Sequence, residues 1–210
     1  MEYTKIPNIF KREEFGKNKL IEGEYSTPEL EYLAENEFVW TEKVDGTNIR
    51  VMWDGHAVSF GGRTERAQIP AHLVNKLNDL FGGTNKEEIF EQKFGETPVT
   101  LFGEGFGEKI QNGGGKYGPV NFILFDVFCG GMWLKRESVE DIAQTFNIET
   151  VPVVGRGNLR EAVEYIRKHP KSMLKDDELE GIVCRPTNEL LDRRGNRIIV
   201  KIKCRDFDKV

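Results

Sequence analysis

Lys43 stands in the stretch EKVDGTN (42–48), beside the acids Glu42 and Asp45 and at the edge between two apolar runs. A lysine in such a place is usually a solvated charge. Followed two residues later by Asp45-Gly46, it also reads as an amine nucleophile. Such an amine must be neutral at working pH, and a free lysine is almost wholly protonated. Neighbouring cations and desolvation lower its pKa. Taken alone, K-x-D-G is a weak signal, which chance supplies in ~5% of chains of this length.

Four further stretches follow in order: Phe102-Gly103-Glu104, Phe125-Asp126, Glu180-Gly181-Ile182-Val183 and Lys201-Ile202-Lys203. Lys201, Lys203 and Arg63, the last in FGGRTERAQIP, supply the cations that a lysine nucleophile needs. The same charges suit phosphate oxygens on which negative charge grows. Glu180 and Asp126 are oxygen donors of the kind Mg²⁺ prefers. Phe125 offers a flat face on which a base can stack. Each also has a plainer reading: a phenylalanine on an apolar strand is core in most proteins, and acids beside glycines are often surface groups. An aspartate in a buried strand is costly unless it is paired or metal-bound.

The elements that must position these residues are legible in the periodicity. PELEYLAEN (28–36) reads as a short helix with Pro28 in its first turn. EFVWTEK (37–43) reads as a strand. Asp54-Gly55 between two alternating runs is a hairpin signal. Residues 71–80 and 85–92 read as helices, and 98–107 and 120–128 as strands, the second nearly all apolar. In RESVEDIAQTFN, Val139, Ile142, Ala143 and Phe146 fall at helical spacing. In NLREAVEYIRKH, Leu159, Ala162, Val163 and Ile166 do the same, with Asn158 and Glu161 as a capping pair. The chain closes with the strands EGIVCRP and RIIVKIKC, joined through Arg193–Asn196. Strands near both ends with helices between predict an α+β domain with antiparallel sheets.

Composition bounds the rest. With 210 residues, 38% hydrophobic and 31% charged, the chain reads as one soluble globular domain. No apolar run is long enough for a membrane span and no signal peptide opens it, so no membrane partner is expected. Three scattered cysteines and three isolated histidines give neither a disulfide framework nor zinc spacing, which points to the cytoplasm. The net charge of −5 argues against a nucleic-acid partner, but residues 185–210 hold eight basic residues against four acids. Such a stretch fits a phosphate backbone or simply a solvated edge. NGGGKYG (112–118) lacks the pattern of a P-loop and reads as a mobile connection, with Lys116 as a candidate phosphate contact.

The five stretches, in their order, resemble motifs I, III, IIIa, IV and V of the covalent nucleotidyltransferases, the ATP-dependent polynucleotide ligases and mRNA capping enzymes. The resemblance covers residues 38–205. It is closest to the nick-sealing RNA ligases of the bacteriophage and RNA-editing type, through EKVDGTN, the Arg63 stretch and FGEGFGEKIQ. It implies an α+β nucleotidyltransferase domain, like the adenylation domains of ligases, with two antiparallel-rich sheets and flanking helices. It also implies a lysyl-AMP on Lys43, formed from ATP with Mg²⁺ or Mn²⁺, then AMP transfer to a 5′-phosphate end and sealing to a 3′-hydroxyl. By the same resemblance Lys43, Lys201 and Lys203 are catalytic. Glu42, Asp45, Asn48, Arg63, Glu104, Phe125 and Glu180 bind the nucleotide, with Phe125 under the adenine, Glu104 at the ribose and Glu42 near the adenine amino group. Asp126 and Glu180 are the expected metal ligands.

The sequence departs from the branch in two places. Asp45 stands where the nick-sealing RNA ligases often have histidine, which leaves RNA and DNA ends both open, RNA preferred. The chain ends at Val210, seven residues past Lys203, so the expectation is a single adenylation domain over 1–210 with neither an OB-fold nor a helical C-terminal domain. It would be a natural minimal enzyme or a truncated one, and a virus-encoded protein acting in a host cytoplasm fits equally. The rival readings are a minimal ATP-dependent DNA ligase and a non-catalytic nucleic-acid-binding domain of the same fold.

Overall fold

The computed structural model describes residues 2–15, 17–111 and 114–207. Asn112 and Gly113 of the NGGGKYG stretch, and Lys209 of the basic C-terminal stretch, lie outside the described residues. In chain order the elements are β1 (Phe10–Arg12), β2 (Leu20–Tyr25), α1 (Pro28–Tyr32), β3 (Phe38–Glu42), β4 (Thr47–Trp53) and β5 (Val58–Gly62). Then come α2 (Ala71–Phe81), α3 (Thr84–Phe94), β6 (Val99–Phe106), β7 (Asn121–Cys129), β8 (Met132–Trp133), α4 (Arg136–Thr145) and β9 (Glu149–Thr150). The chain closes with β10 (Val153–Gly157), α5 (Leu159–Arg167), β11 (Gly181–Pro186) and β12 (Val200–Lys203). No helix among the described residues is long and apolar enough to cross a membrane.

The chain divides into two compact units. One holds Asp45–Val151 together with Tyr3, and the other holds Thr4–Val44 and the chain from Pro152 onward. The division therefore falls inside K-x-D-G, between Val44 and Asp45.

The unit of residues 45–151 is built on a sheet in the order β5-β4-β6-β7-β8, antiparallel throughout, with the short β9 added parallel to β7. Alternation decides its faces. Ile49, Val51 and Trp53 of β4, Leu101 of β6 and Leu124 of β7 pack on Leu73, Leu77 and Phe81 of α2, Phe90 of α3 and Ile142 of α4. The β4–β5 connection is held by Asp54, whose Oδ1 accepts from the amides of His56 and Ala57, both at 2.8 Å. The opposite face carries Asn48 across from Glu104, and Phe102 across from Asp126.

One irregularity governs that face. In the β6–β7 ladder Phe102 pairs with Asp126 and Gly103 with Leu124, so Phe125 is an extra, unpaired residue. A bulge of this kind bends the strand and re-aims its side chains. Its effect here is to bring two consecutive residues, Phe125 and Asp126, to the face that also carries Glu104 and Asn48.

The other unit has a four-stranded antiparallel sheet in the order β10-β3-β11-β12 and a two-stranded sheet, β1-β2. Phe38 and Trp40 of β3, Ile182 and Cys184 of β11, and Val200 and Ile202 of β12 face α5, which buries Leu159, Ala162, Val163 and Ile166 against them. The expected capping pair is present. The Asn158 side chain accepts from the Glu161 amide at 2.9 Å, and Glu161 accepts from the Asn158 amide at 2.8 Å.

Two elements are shorter than their sequence patterns. The helix expected over 28–36 ends at Tyr32, because Ala34 and Asn36 turn back onto carbonyls three residues earlier and tighten the chain out of α-helical winding. The last strand begins at Val200, since Arg197 is bridged to Leu191 across the preceding turn.

Gly181, between β3 and β12, is where the second sheet tolerates no side chain. A Cβ there would lie 2.2 Å from the Ile202 carbonyl oxygen and 2.8 Å from the Lys203 Cα. Both obstacles are backbone, so the neighbouring strand would have to move. Gly181→Ala is expected to lower the unfolding free energy by about 1–3 kcal/mol, read as a fall in the urea midpoint at unchanged slope.

Candidate active site

Three strands of the second unit deliver one charge cluster. Lys43 follows β3 directly, and its amide donates to the Gly181 carbonyl at 2.9 Å, which fixes the backbone of the two elements together. Glu180 precedes β11. Its Oε2 takes a short hydrogen bond from the Lys43 ammonium, and its Oε1 lies 2.8 Å from the Lys203 ammonium of β12. One carboxylate is thus shared by the two lysines at opposite ends of the sequence motif series. Lys201 is two residues before Lys203, leaves the same face, and is likewise half-buried. Ile202, between them, points to the core.

Burial pushes the Glu180 carboxyl up, but the Lys43 charge and the hydrogen bonds from Lys203 and Lys43 outweigh it and hold the group below the ordinary glutamate value of 4.5. Its folded-state affinity for a proton is therefore lower than in the unfolded chain. The stability it contributes is present above pH 4.5 and is lost as pH falls through the lower, folded value.

Glu42 lies on the other face of this sheet. It is opposite Ile182 in the ladder, and directly opposed residues share a face, so its side chain points with Ile182 and Trp40 toward α5. It is 1% exposed. Its Oε1 accepts from the Ser172 hydroxyl and its Oε2 from the Met173 amide at 2.9 Å. Its charge also reaches Tyr165 of α5, whose phenol is pushed up first by burial and then by Glu42. The side chain thus faces away from Lys43, and both its oxygens serve the segment after α5.

The first unit carries the remaining expected residues. Asn48 and Glu104 are ladder partners on the face away from the core. The Asn48 Oδ1 is buried and has no hydrogen-bond partner, an acceptor a ligand hydroxyl would satisfy. Phe125 is half-buried while Phe122, Ile123 and Leu124 before it are buried, so the bulge leaves part of its ring accessible. Asp45 is half-buried and its amide donates to the Tyr117 hydroxyl at 3.2 Å. Arg63 is exposed on the connection after β5, and Lys116 is exposed in the turn before β7.

Asp126 is 1% exposed, and its Oδ2 accepts from the Tyr3 hydroxyl at 2.5 Å. Tyr3 also sets its ring against Phe125 and Phe102, each with centroids 5.1 Å away. Among the described residues no three His, Cys, Asp or Glu side chains gather into a set able to hold a metal ion. Magnesium is commonly held by one or two carboxylates, waters and substrate phosphates rather than by a protein cage. Glu180 suits that mode. The Asp126 carboxylate is enclosed and bonded to the Tyr3 hydroxyl.

Three contributors escaped the sequence reading: Tyr3, Ser172 and Arg50. Arg50 is 1% exposed, donates to the Gly62 carbonyl at 2.7 Å and pairs with Glu65, thereby tying down the connection that carries Arg63. Its place between Ile49 and Val51 signals only that it points away from the core.

The family model for RNA ligase matches residues 36–203. The chain belongs to the RNA ligase family. Among solved structures it is similar to the RNA ligase of Naegleria gruberi. A variant of that protein with ATP and Mn matches with a TM-score of 0.67 at 19% identity, covering 97% of this chain and 56% of that one. The same protein with pyrophosphate gives 0.62 at 21% identity, covering 84% and 52%. The chain thus spans about half the length of the structures it matches, and at this identity the likeness establishes the fold alone: an α+β fold with antiparallel sheets. No curated protein matched the sequence. The family assignment agrees with the five motifs, and it does not favour the DNA ligase reading.

Two outcomes follow from the site. Glu180→Gln should flatten the fall of stability in acid, so that its unfolding free energy and that of the parent converge as pH drops below 4.5, followed by urea titrations across that range. Phe125→Ala should weaken ATP binding by about 1–3 kcal/mol, the worth of one base–aromatic stack, while Phe125→Tyr stays near the parent in calorimetry. A loss of fold stability with unchanged ATP binding would make Phe125 a core residue.

Proposed function

We propose that the protein is an ATP-dependent RNA ligase that works through a lysyl-AMP on Lys43. The observation that carries this is the lysine of K-x-D-G paired, through Glu180, with the lysine of the last strand. Lys43 Nζ attacks the α-phosphorus of ATP. A P–N bond forms, the bond to the β-phosphate oxygen breaks, pyrophosphate leaves and the amine loses a proton. Glu180 is the carboxylate placed to accept or relay that proton. Lys201 and Lys203 supply positive charge where phosphate oxygens become more negative. Mg²⁺ or Mn²⁺ would supply further charge neutralisation, with Glu180 as its protein carboxylate, directly or through water.

Within the unit of residues 45–151, Phe125 has an accessible ring of the kind that stacks on a base, and Asn48 and Glu104 have acceptors of the kind that ribose hydroxyls need. AMP then passes to a 5′-phosphate end of RNA, and attack by a 3′-hydroxyl seals the strand and releases AMP. Arg63, Lys116 and the basic residues after Arg185 are candidates for the polynucleotide's phosphates. The whole chain acts as one adenylation module. Its biological role is repair of broken RNA, in a cytoplasm, of a cell or of one infected by a virus that encodes the protein. Three free cysteines fit such a reducing setting.

Incubation with ATP and a divalent cation should add one AMP to Lys43, seen by intact-mass and peptide mass spectrometry, with no adduct from GTP. Lys203→Ala should lower adduct formation about 10²-fold or more, as loss of a transition-state donor does elsewhere. An adduct on another residue, or a wild-type rate in Lys203→Ala, would remove the mechanism.

A further inference from the structure

Glu42 stands next to the nucleophile in sequence, yet its carboxylate is spent on a segment 130 residues later. That segment, residues 170–179, is a closed loop. The Leu179 amide donates to the Pro170 carbonyl at 3.1 Å, the Ser172 amide to the Asp177 carbonyl at 2.9 Å, and Lys171 bridges to Glu178. Ser172 is its knot. The hydroxyl donates to Glu42 and accepts from the amides of Leu174 at 3.0 Å and Lys175 at 3.1 Å. The next amide, Met173, donates to the other Glu42 oxygen. The residue that follows the loop is Glu180, the partner of Lys43 and Lys203.

We infer that Glu42 and Ser172 form a positioning pair, which pins the 170–179 loop to the end of β3 and so sets Glu180 against Lys43. Three features carry this. First, a carboxylate 1% exposed is retained only where its oxygens are satisfied, and both accept bonds from this one loop. Second, the loop and the nucleophile share a single short chain path. Glu42 holds the loop, the loop ends at Glu180, and Lys43 is hydrogen-bonded to Gly181 and paired with Glu180. Third, Glu42 and Lys43 leave opposite faces of the sheet, so Glu42 acts on the reaction through the backbone and the loop. It touches neither the ammonium cluster nor anything bound on that face.

The inference rests on the proposed lysyl-AMP chemistry, and the test separates the two. Ser172→Ala removes the hydroxyl while leaving Glu42 in place, and Glu42→Ala removes the carboxylate. In the free protein, hydrogen exchange at the amides of Met173, Leu174 and Lys175 should quicken in both variants, whatever the activity. In single-turnover adenylation each variant should be slower by about 10-fold to 10²-fold, the usual cost of a misplaced reacting group. The half-saturating ATP concentration and the preference for ATP over GTP should be unchanged. The double variant should be no worse than the poorer single one, because both changes cut one coupled unit. A Ser172→Ala protein that adenylates at the parent rate would overturn the pair. So would a Glu42→Ala protein whose ATP affinity or base preference falls at an unchanged rate constant, because Glu42 would then be touching the nucleotide. A wild-type protein that forms no adduct overturns the function itself, and that failure shows in the parent rather than in the variants.

Discussion

A single carboxylate holds two ammonium groups that the sequence places 160 residues apart. Without Glu180, Lys43 and Lys203 would be two like charges converging on one half-buried sheet surface, and their repulsion would favour splaying the ends of β3 and β12. With it, the three charges form a set whose middle member is anionic. The sheet order makes this unavoidable: β11 lies between β3 and β12, so the residue preceding β11 falls between the residues that follow β3 and end β12. The backbone bond from the Lys43 amide to the Gly181 carbonyl then leaves little freedom in where the carboxylate meets the amine. The cost of taking these charges partly out of water is offset by their mutual pairing, which is the condition under which half-buried ions persist.

The sequence was most readable where side chains had a period. The alternation in β4 and β5 and the helical spacing in α4 and α5 carried directly into the faces that bury them, and Lys201 and Lys203 share a face because they are two apart on a strand. It was least readable where geometry came from exceptions to a period. Phe125 and Asp126 are adjacent, and in a regular strand they would point to opposite sides. Only the unpaired residue in β7 lets both serve one face, and nothing in NFILFDVFC announces it. Glu42 shows the converse. Its neighbourhood to Lys43 suggested a shared task, but adjacent residues at a strand end leave opposite faces.

The glycines of β10 have a packing role that no sequence period signals: a Cβ on Gly155 would lie 2.6 Å from the Trp40 ring, which occupies that space. The N-terminal pairing of β1 with β2, and the Tyr3 hydroxyl on Asp126, depend on contacts across long stretches of chain. No local pattern encodes such contacts, although their residue types are compatible with them.

The path of the chain through the second unit has a consequence for how the protein is assembled. Val44 leaves that unit and Pro152 re-enters it, and at that point the Glu42 amide donates to the Pro152 carbonyl at 2.9 Å, with Thr41 across from Val153 in the ladder. The exit and the return are therefore the two sides of one antiparallel hairpin. Topologically, residues 45–151 are an excursion from the tip of that hairpin, and a turn of a few residues would close it. The sheet that presents Lys43, Glu180 and Lys203 is thus complete in its own hydrogen bonding, and the excursion is an inserted module whose departure would leave no strand of that sheet without its neighbour.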